Sequence, residues 1–265
     1  MGQAQRKIQR RKKELQRLAK LMSQPENVVI IHYSCESFYN RPHGASPRIT
    51  SIAVQNLESA QTASFAMHQA AEKNGYPLDK IEPHYDELEK QMLDEFYDYV
   101  STHSGRIWLH WNMRNINYGF QAIAHRHGVL QGEPVKIDES NLVDLSRLDA
   151  IYGIDYIEHP YLQRLMEKNN ITDKDFLSGA DEAKAFEEKE YGKLHFSTLR
   201  KVRVLASFAR RADERILQTN STWKDIYGSY PQFLNEWVQE HWITSLIGAI
   251  LALLGFLITL VQGCR

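Results

Sequence analysis

Cysteine is scarce in this sequence, and several familiar catalytic signatures are missing. Its 265 residues include only Cys35 and Cys264, which cannot build a disulfide framework, so we expect a reducing compartment. The N-terminus is basic without a following apolar stretch, so we expect no secretory signal peptide. No Gly-rich phosphate loop, GxSxG elbow, HExxH or CxxC motif occurs, which excludes the enzyme classes that depend on them.

Positive charge is concentrated in the first 22 residues, which carry eight basic side chains and one acid, Glu14. Residues 3–22 contain strong helix formers and neither Gly nor Pro, so they are predicted to form a helical arm. Three interpretations stay open for this arm. It is a solvated basic helix, it contacts anionic lipid headgroups, or it contacts the phosphates of a nucleic acid.

A long uncharged run lies near the C-terminus. Residues 242–261 contain no charge, and as a helix they would span about 30 Å, the thickness of a hydrocarbon core. Trp237 and Trp242 lie where an interfacial aromatic belt is expected. The run predicts one transmembrane helix, with single-pass membrane localisation, lipid contact and the N-terminal bulk in the cytoplasm. The alternative is a buried core helix.

Small and weakly polar residues recur within this run at a spacing of three and four. On a helix they would form one stripe, along which backbones can approach closely. The stripe predicts a homo-oligomer, with chance and a polar path through an assembly as alternatives. The residues of this predicted seam are Ser245, Gly248, Ala252, Gly255 and Thr259.

Hydrophobic patterning of the middle of the chain predicts three strands, a helix, a strand and a helix, followed by further helices. This order is typical of a mixed α/β sheet with helices packed on it. The predicted strands cover residues 27–33, 48–54, 62–67, 106–111 and 134–137, and the helices 85–100, 117–127, 142–152, 158–169, 182–191 and 195–217. The predicted domains are a basic arm (1–23), a globular domain (24–218), a linker (219–241) and the membrane helix (242–261).

Three short motifs lie at the ends of these elements. Ser34-Cys35-Glu36 follows the first strand, His110-Trp111-Asn112 follows the fourth with Asn117 beyond it, and His195 precedes Arg200 on the last helix. With the element order, these motifs resemble the ribonuclease-H-like fold of the DEDD 3′–5′ exonucleases over residues 27–215. The resemblance implies an α/β fold of that type, with a site at these three motifs.

The chemistry of the motifs departs from that family. The resemblance implies two divalent metals held by four carboxylates, one metal activating water and the other stabilising the leaving oxygen. Glu36 is the one acid at the matching positions, whereas Ser34 and Asn117 are neutral and Arg200 is cationic. We therefore expect no metal cofactor and a lost nuclease reaction, with Glu36 as the surviving acid. Glu36 as a solvated loop acid and Asn112 as a helix cap are the alternatives.

Aromatic and cationic residues around the second motif suggest a ligand. Trp111 can stack on a base while Arg114 holds a phosphate, although alternating aromatics also fill sheet cores. A mononuclear metal site of Glu36 with His32, His110 and His195 is a further alternative. The predicted ligand-binding residues are Ser34, His110, Trp111, Asn112, Arg114, Asn117, His195 and Arg200.

Three functions are consistent with these observations. The first is a catalytically inactive exonuclease-like domain, tethered to a membrane, that binds nucleic acid or a nucleotide-like ligand and acts through oligomerisation, as in bacterial stress or phage defence. The second is an active nuclease that uses Mg²⁺ or Mn²⁺ held by Glu36 with Asp138, Asp144 or a histidine. The third is a membrane-permeabilising effector triggered by its cytosolic domain.

Overall fold

The computed structural model of the protein describes residues 2–37, 46–240 and 246–254. Its central feature is a mixed sheet with the strand order β3-β2-β1-β4-β5. β1, β2 and β3 are antiparallel neighbours, β4 is parallel to β1, and β5 is parallel to β4. The predicted mixed sheet is confirmed, and its first three strands form an antiparallel meander. The strands are β1 (Val28–Cys35), β2 (Ile49–Asn56), β3 (Thr62–Ala66), β4 (Ile107–His110) and β5 (Leu142–Asp144).

Helices precede, flank and follow this sheet, and the predicted basic arm is the continuous helix α1 (Gln3–Met22). α7 begins with a capping box between Ser178 and Asp181, which fixes its first turn. The other helices are α2 (Met67–Lys73), α3 (Tyr85–Thr102), α4 (Phe120–Val129), α5 (Asp149–Tyr152), α6 (Tyr161–Lys168), α7 (Gly179–Glu187), α8 (Tyr191–Asp213), α9 (Trp223–Tyr227) and α10 (Ser229–Glu240).

β1 is the centre of the sheet, and all of its residues are buried. Its β-branched run suits a strand that is covered on both faces. On one face Val29, Ile31 and Tyr33 pack with Phe96 of α3 and Ile123 of α4 in the main hydrophobic core. The opposite face of β1 and β2 is covered by α8. Alternate residues of β1 therefore lie in two separate environments.

The fifth strand differs from the prediction. Residues 134–137 form no strand, and Leu142–Asp144 pairs with β4 instead, through Trp108 with Leu142 and His110 with Asp144. The helix predicted over 142–152 is correspondingly shortened to α5. A three-residue edge strand is too short to show a periodic pattern of its own, and it depends on its pairing with β4. The hydrophobic pattern of the sequence therefore did not locate it.

The transmembrane helix predicted over residues 242–261 is wrong. Among the residues that the structure describes, no helix is long and apolar enough to span a bilayer. Of the predicted span, residues 246–254 are helical, and nine residues cover about 14 Å, roughly half of a hydrocarbon core. Residues 242–245 and 255–261 lie outside the described residues. The predicted single-pass membrane localisation depended on this helix and is wrong for the same reason.

The predicted oligomerisation seam falls only partly on described residues. Gly248 and Ala252 lie in the helical segment 246–254. Ser245, Gly255 and Thr259 lie outside the described residues. Association of copies of this chain and contact with lipid therefore stay predictions.

The chain divides into two compact units. The sheet unit comprises residues 16–148 and 157–219 and contains all five strands. The terminal unit comprises residues 1–15, 149–156 and 220–265. The domain boundaries predicted at residues 23, 218 and 241 stay predictions.

Candidate functional site

A buried cluster of hydroxyl groups lies at the end of β1, on the face covered by α8. The Ser34 hydroxyl is 2.8 Å from Oε1 of Glu182 and 2.7 Å from Oγ1 of Thr198. Ser51 of β2 approaches the same Thr198 hydroxyl at 2.7 Å. Ser34 pairs with Ser51 across the two strands, so the sheet register places both hydroxyls beneath α8.

A buried ion pair completes this cluster. Nζ of Lys201 lies 2.6 Å from Oε1 of Glu182, and the two side chains are 6% and 9% exposed. Ser197 donates to the same carboxylate oxygen at 2.8 Å. Thr198 and Lys201 are three residues apart on α8, so both face the sheet. Each charge is thus matched by its partner and by hydroxyls, as buried charges require. We call Ser34, Ser51, Glu182, Ser197, Thr198 and Lys201 the Lys201 cluster.

The Lys201 cluster does not fit the two-metal site that the resemblance implies. That site holds its two metals with four carboxylates, whereas the cluster offers one carboxylate, which already binds an ammonium group. In the described parts of the chain, no group of three or more His, Cys, Asp and Glu side chains could hold a metal ion. Ser34, which the resemblance aligns with a metal-binding acid, lies in this cluster as a hydrogen-bonding hydroxyl.

Glu36 lies apart from the Lys201 cluster and interacts with Arg48. Its Oε1 accepts a hydrogen bond from the Arg48 backbone N–H at 3.0 Å, and its Oε2 lies 3.3 Å from Nη1 of Arg48. The Glu36 N–H donates to the Arg48 carbonyl at 2.9 Å. The acid therefore joins the end of β1 to the residue before β2. This arrangement differs from the solvated loop acid that was the alternative.

Arg48 also belongs to a buried charge network that the sequence did not reveal. Glu89 is fully buried, accepts the Ile49 N–H at 2.7 Å and binds Arg126 through Nε and Nη2 at 2.9 and 2.6 Å. Asp86 bridges Arg48 and Arg126 at 2.8 and 3.0 Å. Burial raises the pKa of Glu89 although both arginines oppose this. In the sequence, Asp86, Glu89 and Arg126 appear only as charged residues on amphipathic helices, and that pattern does not indicate that they pair.

The second motif is organised by Asp144, the last residue of β5. Its Oδ1 accepts the backbone N–H groups of Asn112 and Ser146, both at 2.9 Å. Its Oδ2 accepts Nε and Nη2 of Arg114 at 3.0 and 2.5 Å. Burial raises the pKa of Asp144, but these hydrogen bonds outweigh it and lower the pKa overall. Asn112 has φ of +52°, a strained backbone that this carboxylate stabilises.

His110 lies beneath this loop on the α4 face of the sheet. Its Nδ1 accepts the Met113 N–H at 3.2 Å, and its ring contacts Phe120 at a centroid distance of 5.4 Å. Burial lowers the pKa of His110 to about 4, although Asp144 opposes the shift. Because Ser34 contacts α8 instead, Ser34 and His110 lie on opposite faces of the sheet. The first two motifs therefore do not form one site.

The other predicted ligand-binding residues are dispersed over the sheet unit. The Trp111 ring lies 6.4 Å from Phe208, and the Asn117 N–H donates to Oδ1 of Asn115 at 2.8 Å in an exposed turn. The ring centroids of His195 and His68 are 5.1 Å apart. Burial lowers the pKa of His195 to about 4, and the charge of His68 adds to this shift. Nη2 of Arg200 donates to the Thr172 carbonyl. His32, His110 and His195 are not gathered with Glu36.

Comparison with known proteins finds similarity among solved structures only. No protein-family model matches the chain, and no curated protein matches it. One solved structure that it resembles is the family B DNA polymerase of the hyperthermophilic archaeon Pyrobaculum calidifontis, at 12% identity with a TM-score of 0.46. The match covers 72% of this chain and 29% of the polymerase chain. A match with a TM-score below 0.5 carries no argument about the fold or the activity of this chain.

Proposed function

We propose that the chain is a ribonuclease-H-like domain that binds nucleic acid and does not cleave it. The observation that carries this proposal is the ion pair of Lys201 with Glu182, beside Ser34 at the end of β1. A two-metal nuclease needs negative charge there to hold its cations. An ammonium group at that place opposes a cation, and it already occupies the one carboxylate present.

The nucleic-acid surface in this proposal is the exposed side of α1. Lys12, Lys13 and Lys20 are exposed residues of this helix. Leu18 and Leu21 are buried, which holds the C-terminal half of the helix in place. Exposed cations neutralise phosphates and release their counterions, which is the main source of sequence-independent affinity.

An active nuclease is the second candidate from the sequence, and its acids are separated. Glu36 binds Arg48, and Asp144 binds Arg114 and two backbone N–H groups. Asp138 is a cap that accepts the Ser140 N–H at 2.7 Å. No described contact joins any two of these three acids. The membrane-permeabilising candidate required the C-terminal span, which the fold contradicts. Oligomerisation and a role in phage defence stay predictions.

The test combines binding and cleavage measurements on the full chain. Single-stranded and duplex DNA and RNA oligonucleotides are titrated by fluorescence anisotropy at several salt concentrations, and then incubated with Mg²⁺ or Mn²⁺. We expect binding that weakens steeply with salt, and intact oligonucleotides. The triple substitution Lys12→Gln, Lys13→Gln, Lys20→Gln should reduce the slope of log K against log salt by about 2 to 3.

The matched control removes three exposed lysines elsewhere, by Lys184→Gln, Lys189→Gln and Lys193→Gln. This control should leave the salt slope within about 0.5 of the original chain. Equal losses in both triple variants would contradict a surface on α1. Metal-dependent cleavage that Glu36→Gln abolishes would establish the nuclease candidate instead.

A further inference from the structure

A cleft of about 350 Å³ lies entirely within the terminal unit. Its walls are residues 7–11 of α1, residues 149–155 of α5 and the following loop, and residues 221–232 around α9. A volume of this size is in the range of small-molecule sites. The cleft includes residues 7–11 of the basic arm, but none of the three short motifs of the sheet unit and none of Lys12, Lys13 and Lys20 lies in it.

The cleft carries cations whose charge is not cancelled within it. Arg10 is neutralised by Asp149 at 2.7 Å, and Asp225 caps α9 by accepting hydrogen bonds from Thr222. Lys7 and Lys224 line the cleft, are exposed, and lie in no ion pair with a described residue. These two ammonium groups are therefore available to an anion. Asp155 is the remaining acid of the lining.

Arg11 adds a fixed guanidinium group to the same wall. Its Nε donates to the Ile151 carbonyl at 3.0 Å, and its Cζ lies 4.8 Å from the centroid of the Tyr227 ring. These two contacts hold the side chain in one orientation. The other guanidinium N–H groups make no hydrogen bond to a described residue, so they can serve an anionic oxygen at little entropic cost.

The remaining lining is apolar and aromatic. Ile8, Ile151 and Ile226 contribute aliphatic surface, and the Tyr230 ring lines the cleft while 44% exposed. An exposed tyrosine beside aliphatic side chains is a surface on which a planar heterocycle stacks. Ring-binding and anion-binding groups thus lie in one concavity, as recognition of a nucleotide requires.

We infer that this cleft binds a nucleoside monophosphate. The base packs on Tyr230 and the neighbouring isoleucines, and the phosphate binds Lys7, Lys224 and the guanidinium of Arg11. This inference stands apart from the proposed function, because Lys12, Lys13 and Lys20 are not part of the cleft. The two can therefore fail separately.

The experiment is isothermal titration of the full chain with adenosine 5′-monophosphate, with adenosine and inorganic phosphate as separate titrants. We expect the monophosphate to bind at least about tenfold more tightly than either part, because the cleft recognises both. Lys224→Gln and Tyr230→Ala should each weaken binding about tenfold. Tyr230→Phe keeps the ring and should bind within about twofold of the original chain.

Two control variants carry the same kinds of change outside the cleft. Lys184→Gln removes an exposed cation of α7, and Phe196→Ala removes a ring of α8 that is 60% exposed. Both should bind the monophosphate as the original chain does. The inference is overturned if the monophosphate fails to bind, if the controls lose as much affinity as the cleft variants, or if adenosine or phosphate alone binds equally well. Loss of oligonucleotide binding in the triple α1 variant, with monophosphate binding intact, would support both proposals.

Discussion

At the scale of single residues, Lys201 decides the chemistry of the end of β1. Its ammonium group lies 2.6 Å from Glu182 and 5.4 Å from the centroid of the Phe176 ring. A buried ion pair adds little net stability over an apolar pair of the same volume, but removing one member leaves a buried charge without a partner. Lys201 and Glu182 are therefore energetically coupled.

The first residue-scale prediction concerns this coupling. Lys201→Met should lower the free energy of unfolding by about 3 to 5 kcal/mol, since it isolates the Glu182 carboxylate. The double variant Glu182→Gln, Lys201→Met should be more stable than Lys201→Met alone. Urea denaturation followed by circular dichroism measures all three chains. Lys184→Met, which removes an exposed lysine of α7, should change the stability by less than about 0.5 kcal/mol. A double variant no more stable than Lys201→Met would contradict the coupling.

The second residue-scale prediction concerns His110 and pH. Its folded pKa of about 4 lies below its ordinary value of 6.5, chiefly because of burial. Between these two pH values the unfolded chain binds a proton that the folded chain excludes. The free energy of unfolding should therefore fall as the pH drops from about 6.5 to about 4, by up to about 3 kcal/mol from this residue.

His110→Asn isolates that contribution. Asparagine keeps an acceptor for the Met113 N–H but does not titrate, so the variant should lose about 3 kcal/mol less than the original chain between pH 7 and pH 4. Denaturant titrations at a series of pH values measure the difference. Parallel pH profiles for the two chains would show that His110 is not the responsible group.

At the scale of elements, the loop from β4 to α4 is held by contacts with its neighbours in the sheet. Asp144 of β5 binds Asn112 and Arg114 at its start. At the end of the loop, the ring of Tyr33 of β1 stacks on the ring of Tyr118, with the centroids 4.6 Å apart. The Tyr33 hydroxyl also accepts a hydrogen bond from the Gly119 N–H at 2.9 Å. Gly119 has φ of +144°, and a Cβ there would lie 2.1 Å from the Met113 carbonyl oxygen. Glycine is thus required at this position.

The element-scale prediction removes one of these contacts. Asp144→Ala should cost about 3 kcal/mol of stability, because the Asn112 and Ser146 N–H groups lose their buried acceptor. Hydrogen exchange followed by mass spectrometry should show faster exchange in residues 111–119 and unchanged exchange in α8. The control is Asp138→Ala, an exposed cap whose loss should affect only its own turn. Unaltered exchange across residues 111–119 would show that Asp144 does not order the loop.

At the scale of the whole molecule, the sequence patterns differ in how well they anticipated the structure. The first three strands, the fourth strand and the basic helix α1 are present as predicted. The transmembrane helix was wrong, and β5 was placed some residues too early. Of residues 242–261 the structure describes 246–254, and these nine helical residues are too few to span a bilayer.

The candidate site was anticipated only in part. Ser34 was identified as a neutral residue at an expected acidic position, and the structure adds its partners Glu182 and Thr198, which lie 148 and 164 residues away in sequence. His110 and Ser34 belonged to one predicted site, yet Ser34 of β1 contacts α8 and His110 of β4 contacts α4, on opposite faces of the sheet. The terminal cleft combines residues near 10, 150 and 225, so no local pattern indicated it.

The sequence by itself determined the regular elements, because periodicity, helix propensity and β-branched runs act over short stretches of chain. It also determined that the motifs lack the acids for two-metal chemistry, which follows from residue identity alone. Only the tertiary structure decided that Lys201 neutralises Glu182 beneath α8, that Asp144 orders the β4–α4 loop, and that Arg11 and Lys224 face one cleft. These outcomes depend on register and packing between distant segments, and the free energy of such contacts is not encoded in any local pattern.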